Sequence, residues 1–200
     1  MVMSPPWECV VDNDGQTLLW PAFIAPAEAE ELTERLIASL AWHTESIAMF
    51  GRDVAVPRLV CWYGESGAVY RYSGVTHQPL PWTPELADLR QGVQSATAAE
   101  FNSVLANLYR DGNDSMGWHA DNEPELGKQP NIASLSFGAT RTFRLQHRKS
   151  KRIVTVPLAS GDLLFMTGDT QKYWRHSVPK EPKIVSPRVN LTFRRIVRPD

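Results

Sequence analysis

From Phe101 onward the chain is a series of short β-forming runs with little that could be helical between them. FNSVLANLYR (101–110), NIASLSFG (131–138), RTFRLQH (141–147), RIVTVPL (152–158), DLLFMTG (162–168) and RVNLTFRRIV (188–197) are rich in β-branched and aromatic residues, with Gly, Asp, Asn or Pro turns between them. Many short strands joined by turns close into an antiparallel sandwich or barrel. The first half differs. Leu32, Leu36, Ile37 and Leu40 recur at helical spacing behind Pro26, which predicts a helix over about 26–40. Thr83 can cap a second helix with Pro84 in its first turn and Leu86, Leu89 and Val93 on its buried edge. RLVCWYG (58–64) and AVYRYSG (68–74) flank the turn-forming GESG and read as a hairpin, while residues 1–20 read as an irregular lead-in with one apolar run at Glu8–Val11. The expected fold is α+β, with a double-stranded β-helix (jelly-roll) core behind N-terminal helices. One domain spans 1–200, divided at about residue 100.

Composition narrows the class. Two hundred residues, 42% hydrophobic and 22% charged, are an ordinary globular mixture. A net charge of −1 leaves any affinity for nucleic acid to a local basic patch. Cys9 and Cys61 are too few for a disulfide framework or a zinc knuckle, which suits a reducing interior. No apolar run approaches the ~18 residues of a membrane span. The expectation is a cytoplasmic monomer without membrane contact, nucleoid-associated in a bacterium or nuclear in a eukaryote.

His119-Ala120-Asp121 carries the first chemical signal. A His and a carboxylate two apart share one side of an extended segment, giving two legs of a metal clamp. Two His and one carboxylate on one face, with positions left open, is the pattern of non-haem Fe(II) oxygenases. Of the remaining histidines, His176 is the best third ligand; His43 and His77 lie beside turn-like residues and His147 abuts the basic run Arg148–Arg152. On the last strand Arg188, Asn190, Thr192 and Arg194 alternate with Val189, Leu191 and Phe193. Two arginines turned into a core would be costly unless a dicarboxylate such as 2-oxoglutarate neutralised both. Asn107 and Tyr109 share a strand face and offer an amide and a phenol to the same ligand. Each signal taken alone has an ordinary explanation: a hydrogen-bonded loop, a surface His before a turn, an edge strand with its arginines in water.

Taken together, PRLVCWYG with YRYSG, FNSVLANLYRDGNDSMGWHADNEPELG, IASLSFGATRTFRL, and WRHSVPK with PRVNLTFR resemble the AlkB family of Fe(II)/2-oxoglutarate dioxygenases, in the branch that repairs alkylated nucleic acid. The resemblance implies a nucleotide-recognition β-hairpin lid over the N-terminal half and a catalytic jelly-roll over about 101–198. It implies Fe(II) on His119, Asp121 and His176, and 2-oxoglutarate held by Asn107, Tyr109, Arg188, Asn190 and Arg194, with O2 as oxidant. It places Tyr72, with Tyr70 nearby, over a flipped base, and puts Glu123 and Arg58 beside it. Phe50, in Met49-Phe50-Gly51, falls where duplex-active members carry an apolar wedge. The implied reaction is oxidative demethylation of 1-methyladenine and 3-methylcytosine in single- or double-stranded DNA, and in RNA, releasing formaldehyde and forming succinate. The basic run Arg148–Arg152 is a candidate phosphate contact at a hairpin tip. The same fold acting on RNA, protein or lipid, or an inactive nucleic-acid-binding module, are the rival readings.

Overall fold

The computed structural model describes residues 6–49, 52–72 and 75–197. The chain begins with a hairpin, β1 (Glu8–Val11) and β2 (Gln16–Trp20), turning through Asp14 and Gly15 at positive φ. A Cβ at Gly15 would lie 2.5 Å from the Thr170 backbone, so the turn needs glycine for its approach as well as its dihedral. This corrects the irregular lead-in expected for residues 1–20 over its described part, from residue 8 on. The strands are short, and β2 gains its other partner from far downstream in the chain, so local propensity carries little of the signal.

Helix α1 (Pro26–Ser39) starts on its proline and buries Ala29, Leu32 and Leu36. Strands β3 (His43–Met49) and β4 (Arg52–Gly64) follow, then a small ribbon of β5 (Tyr70–Tyr72) and β6 (Val75–His77). The hairpin expected between 58–64 and 68–74 does not form. Both hydrogen-bonding edges of β4 are taken, by β3 and by β7 (Ser103–Tyr109), so the chain turns away after Gly64 and β5 pairs with β6 instead. Between β6 and β7 runs α2 (Pro84–Thr97), capped by the Thr83 hydroxyl, which accepts from the Leu86 N–H at 3.2 Å.

The second half adds β8 (Met116–His119), a 3₁₀ turn at Pro124–Leu126, β9 (Ile132–Gly138), β10 (Arg141–His147), β11 (Ile153–Leu158), β12 (Leu163–Thr167), the single turn α3 (Thr170–Tyr173), β13 (Trp174–Val178) and β14 (Arg188–Arg194). Eight strands form one sheet in the order β1-β2-β12-β9-β14-β7-β4-β3, and four form a second, β11-β10-β13-β8. Every pairing within these two sheets is antiparallel, which fits a jelly-roll core.

Period-two alternation decides what each layer holds. Tyr63, Ala106, Leu135, Phe165 and Leu191 face α1 and α2, where they pack on Leu32, Leu36, Leu86 and Leu89. Their neighbours Trp62, Tyr109, Ile132, Leu164 and Met166 face the smaller sheet and meet Phe143, Leu145, Val156 and Trp174. Each fully buried Leu, Ile or Phe contributes about 1.5–3 kcal/mol. Polar residues enter this second layer along one line, on β7, β9 and β14, and that line leads to the site.

Arg141 pins its lower end. It is 1% exposed, pairs with Glu181 at 3.1 Å, and donates to the carbonyls of Asp111, Asp114 and Pro179. Its guanidinium also lies 5.5 Å from the Tyr109 ring centre. No described helix is long and apolar enough to cross a membrane.

Candidate metal centre and its pockets

β8 and β13 pair with His119 directly opposite His176, so both imidazoles leave the sheet on the same side, ring centres 4.2 Å apart. Asp121, two residues beyond His119 and just past the end of β8, brings its carboxylate to them. One ligand atom from each of the three residues lies within 4.8 Å of the others. Asp121 Oδ2 is buried and accepts no hydrogen bond, and it stands 3.8 Å from His176 Nε2. Its other oxygen accepts from Arg194 Nη2 at 2.7 Å. A buried carboxylate oxygen left without a donor is costly, and a cation held by two nitrogens and this oxygen satisfies it. The donor set suits Fe(II).

The supporting contacts fix orientation. His119 Nδ1 lies 2.9 Å from the Gly117 carbonyl. A carbonyl can only accept, so Nδ1 carries the hydrogen and Nε2 keeps its lone pair for the centre. His176 lies against the Phe143 ring, centres 5.3 Å apart. The Asp121 N–H donates to Gln171 Oε1 at 3.0 Å; Gln171 is buried, and its other end donates to Met166 Sδ. Sequence reasoning missed Gln171, since a glutamine in a short helical turn gives no sign of facing inward.

Burial drives the titration of the centre. It pushes His176 down to about 3, with His119 adding to the effect, and lowers His119 as well, against the pull of Asp121. For Asp121 burial works in the opposite sense but is outweighed by Arg194 and the two histidines, so its carboxyl stays below the usual range. Both histidines are therefore neutral at pH 7, ready to ligate without releasing protons. The metal-free protein is expected to lose stability as pH falls through 6.5, because the unfolded chain takes up protons that the folded imidazoles refuse. For His176 the loss is about 2 kcal/mol by pH 5. Urea midpoints measured with chelator at pH 7 and pH 5 read it, and His176→Gln should flatten the dependence; an unchanged slope in that variant would remove the cause.

Two pockets share His119 and Asp121 as a common wall. The inner one, between the sheets, is lined by Asn107, Tyr109, Ser134, Asn190, Thr192 and Arg194 together with the three candidate ligands. Arg188 lies along the same strand face, 1% exposed, its Nη2 donating to Ser136 Oγ at 3.0 Å and its guanidinium 5.2 Å from the Tyr109 ring centre. Arg188 Nε and Nη1 are buried without a hydrogen-bond partner, and burial lowers its pKa. The two arginines thus differ. Arg194 already has a carboxylate in Asp121, which corrects the expectation that both await a ligand's charge. Among the described residues no carboxylate pairs with Arg188.

Asn190 is fully engaged, donating to Ser134 Oγ and the Leu135 carbonyl and accepting from Thr192. Asn107 Oδ1 accepts from Arg58 Nε at 2.7 Å. Arg58, expected beside the base, is buried at 3% exposure, lines the outer pocket and through that bond holds Asn107 of the inner one.

The outer pocket is lined by His119 and Asp121 with His43, Glu45, Arg58, Trp62, Met116 and Glu123. Glu123 Oε2 is buried there without a hydrogen-bond partner. His43 and Glu45 come from β3, whose place at the sheet edge no local pattern announced. Phe50 lies outside the described residues, as do the side chains of Tyr70 and Tyr72.

Residues 16–194 match the family model of the 2OG-Fe(II) oxygenase superfamily. The chain is 43% identical to Alpha-ketoglutarate-dependent dioxygenase alkB homolog 3 of Homo sapiens, over 98% of this chain and 76% of that one. It is 39% identical to DNA oxidative demethylase ALKBH2 of Homo sapiens, over 97% and 78%. The chain belongs to the AlkB family of 2OG-Fe(II) oxygenases. The structure of OsALKBH1 superposes with a TM-score of 0.64 at 21% identity, covering 90% of this chain and 97% of that one, a likeness of fold. As an AlkB-family dioxygenase it uses Fe(II), 2-oxoglutarate and O2, and the chemistry of the inner and outer pockets can be read against that set.

Proposed function

We propose that this AlkB-family enzyme demethylates nucleobases methylated on a ring nitrogen, 1-methyladenine and 3-methylcytosine, in DNA and in RNA. The observation that carries the reading is the placing of the His119–Asp121–His176 cluster between two pockets, with His119 and Asp121 lining both. Farther along the strand face that lines the inner one is the buried Arg188, which among the described residues has no carboxylate partner; the outer one bears the buried Glu123 Oε2, which has no hydrogen-bond partner. The relatives named as a DNA oxidative demethylase and an alkB homolog dioxygenase support it.

In this reading His119, Asp121 and His176 hold Fe(II). When bound, the iron with 2-oxoglutarate and O2 supplies the oxidation of the N-methyl group, which leaves as formaldehyde while the co-substrate becomes succinate and CO2. Arg188 takes the distal carboxylate of 2-oxoglutarate through its free N–H groups, and Tyr109 lies over that guanidinium. Arg194, bonded to Asp121, sits at the metal end and orients the carboxylate ligand. Asn107 presents its amide N–H to the co-substrate because Arg58 occupies its oxygen, and Asn190 keeps Ser134 and Thr192 in place around it.

A base has to leave the stack to reach the centre. Glu123 attracts the positive charge of a methylated base in the outer pocket, and Tyr72 with Tyr70, on the β5–β6 ribbon, forms the lid above it. His119 is the floor. Phe50 is the candidate wedge in duplex substrates. Residues 1 to about 100 supply this lid and its support, and about 101–198 the oxygenase core.

The test is anaerobic loading with Fe(II) and 2-oxoglutarate, then O2 with single-stranded DNA, duplex DNA and RNA each bearing 1-methyladenine. Formaldehyde, succinate and restored adenine are expected together. Succinate with no restored base on any of the three would keep the oxygenase and overturn the substrate.

A further inference from the structure

The outer pocket has a neighbour that no sequence window displays. Lys128, Arg148 and Lys172 come from three separate segments and line one groove. Asp169, the carboxylate in that groove, accepts from Gln129 Nε2 at 3.0 Å. Among the described residues none of the three cations lies within ion-pair distance of a carboxylate. Lys172 and Lys149 both lie over the Tyr173 ring, at 4.9 and 5.7 Å. Farther along β13, Arg175 lies 5.2 Å from the ring centre of Trp118, which is 37% exposed.

Charge is segregated by layer. The net charge of −1 conceals Glu28, Glu30, Glu31 and Glu34 on α1, behind the large sheet, while the band described above lies at the small sheet. The groove also touches the centre's frame. Its lining includes Asn122, next to the ligand Asp121, and Gln171, which holds the Asp121 N–H; Glu123, one residue on, belongs to the outer pocket. Groove and pocket therefore take alternate residues of one segment, 121–123.

We propose that this groove binds the phosphodiesters flanking the base held in the outer pocket, with Trp118 as a stacking surface for a neighbouring base. The proposal rests on the nucleic-acid reading above and adds the strand's path to it. A base drawn into the outer pocket carries its phosphates to the rim, and the groove of Asn122 and Lys128 borders the same 121–123 segment. Cations that form no ion pair among the described residues, set along one groove, fit a polyanion, and an exposed aromatic beside an arginine fits a base face.

Lys128→Ala/Lys172→Ala, both exposed positions, tests the path in the Fe(II)- and 2-oxoglutarate-loaded enzyme. For a single-stranded oligonucleotide carrying 1-methyladenine, KM is expected to rise about tenfold. The slope of log affinity against log salt should fall by about 0.7 for each phosphate that no longer meets a cation. Turnover of 1-methyldeoxyadenosine monophosphate, which has no flanking phosphodiester, should stay as in the unaltered enzyme. An unchanged oligonucleotide KM and salt slope, or an equal loss on both substrates, overturns the groove. Anisotropy of an unmodified oligonucleotide reads the same slope without catalysis. Failure of the unaltered enzyme to restore adenine would therefore sink the demethylase reading while the groove is still judged on binding.

Discussion

Asp121→Asn is expected to lower demethylation by at least about a thousandfold at saturating Fe(II), equivalent to about 4 kcal/mol of lost transition-state stabilisation. The substitution keeps the shape and an oxygen for Arg194, so the change is one of charge. Two partners lose it at once. A neutral amide is a poor ligand for a hard divalent cation. Arg194, 4% exposed, is left buried without its carboxylate at 2.7 Å, a loss of about 3–5 kcal/mol for a broken buried pair. Formaldehyde release measures the first effect. The second appears as a lower melting temperature in the presence of chelator. His119→Gln separates the two, since it removes a ligand while leaving the Arg194–Asp121 bond in place; it should cost activity with little loss of metal-free stability. Unchanged turnover in either variant would show that the centre is assigned to the wrong residues.

Arg188→Met should move stability and co-substrate affinity in opposite directions. In the protein alone the guanidinium is a buried cation with Nε and Nη1 unsatisfied, and each such group costs about 1–3 kcal/mol. A methionine of similar length fills the space without that cost, so the variant without 2-oxoglutarate is expected to melt higher than the parent. The same change removes the charge partner of the distal carboxylate. Truncating one side of a buried charged pair costs about 2–5 kcal/mol, so KM for 2-oxoglutarate should rise by about thirtyfold or more, and stabilisation by 2-oxoglutarate should largely vanish. Thermal melts with and without the co-substrate, beside its KM, decide the matter. A variant that is destabilised and still responds to 2-oxoglutarate would place the distal carboxylate elsewhere.

The contrast between the two arginines shows where sequence reading stops. Both stand out on β14 because they alternate with Val189, Leu191 and Phe193, and alternation is a local property of an extended chain. That Arg194 meets Asp121 whereas Arg188 meets Ser136 depends on β14 lying between β7 and β9, which no spacing within the strand reveals. Asn107 is a similar case. Its place on the strand face was legible, but its bond to Arg58, 49 residues upstream, follows from the pairing of β4 with β7. The hairpin expected after Gly64 failed for the same reason: β4 found stronger partners on both edges than the short run 68–74 offered.

The sequence by itself determined the candidate ligands and the β-rich second half. His-x-Asp spacing, a strand's period of two and turn residues at run ends are written into neighbouring positions. Its likeness to a known family named the chemistry. Only the tertiary structure decided that His119 and His176 stand opposite one another across β8 and β13, and that one arginine has a carboxylate while the other has none among the described residues. It also brought Lys128, Arg148 and Lys172 to one groove. These are meetings of residues far apart in the chain, and antiparallel closure of two sheets, which sets every register at once, is what brings them together.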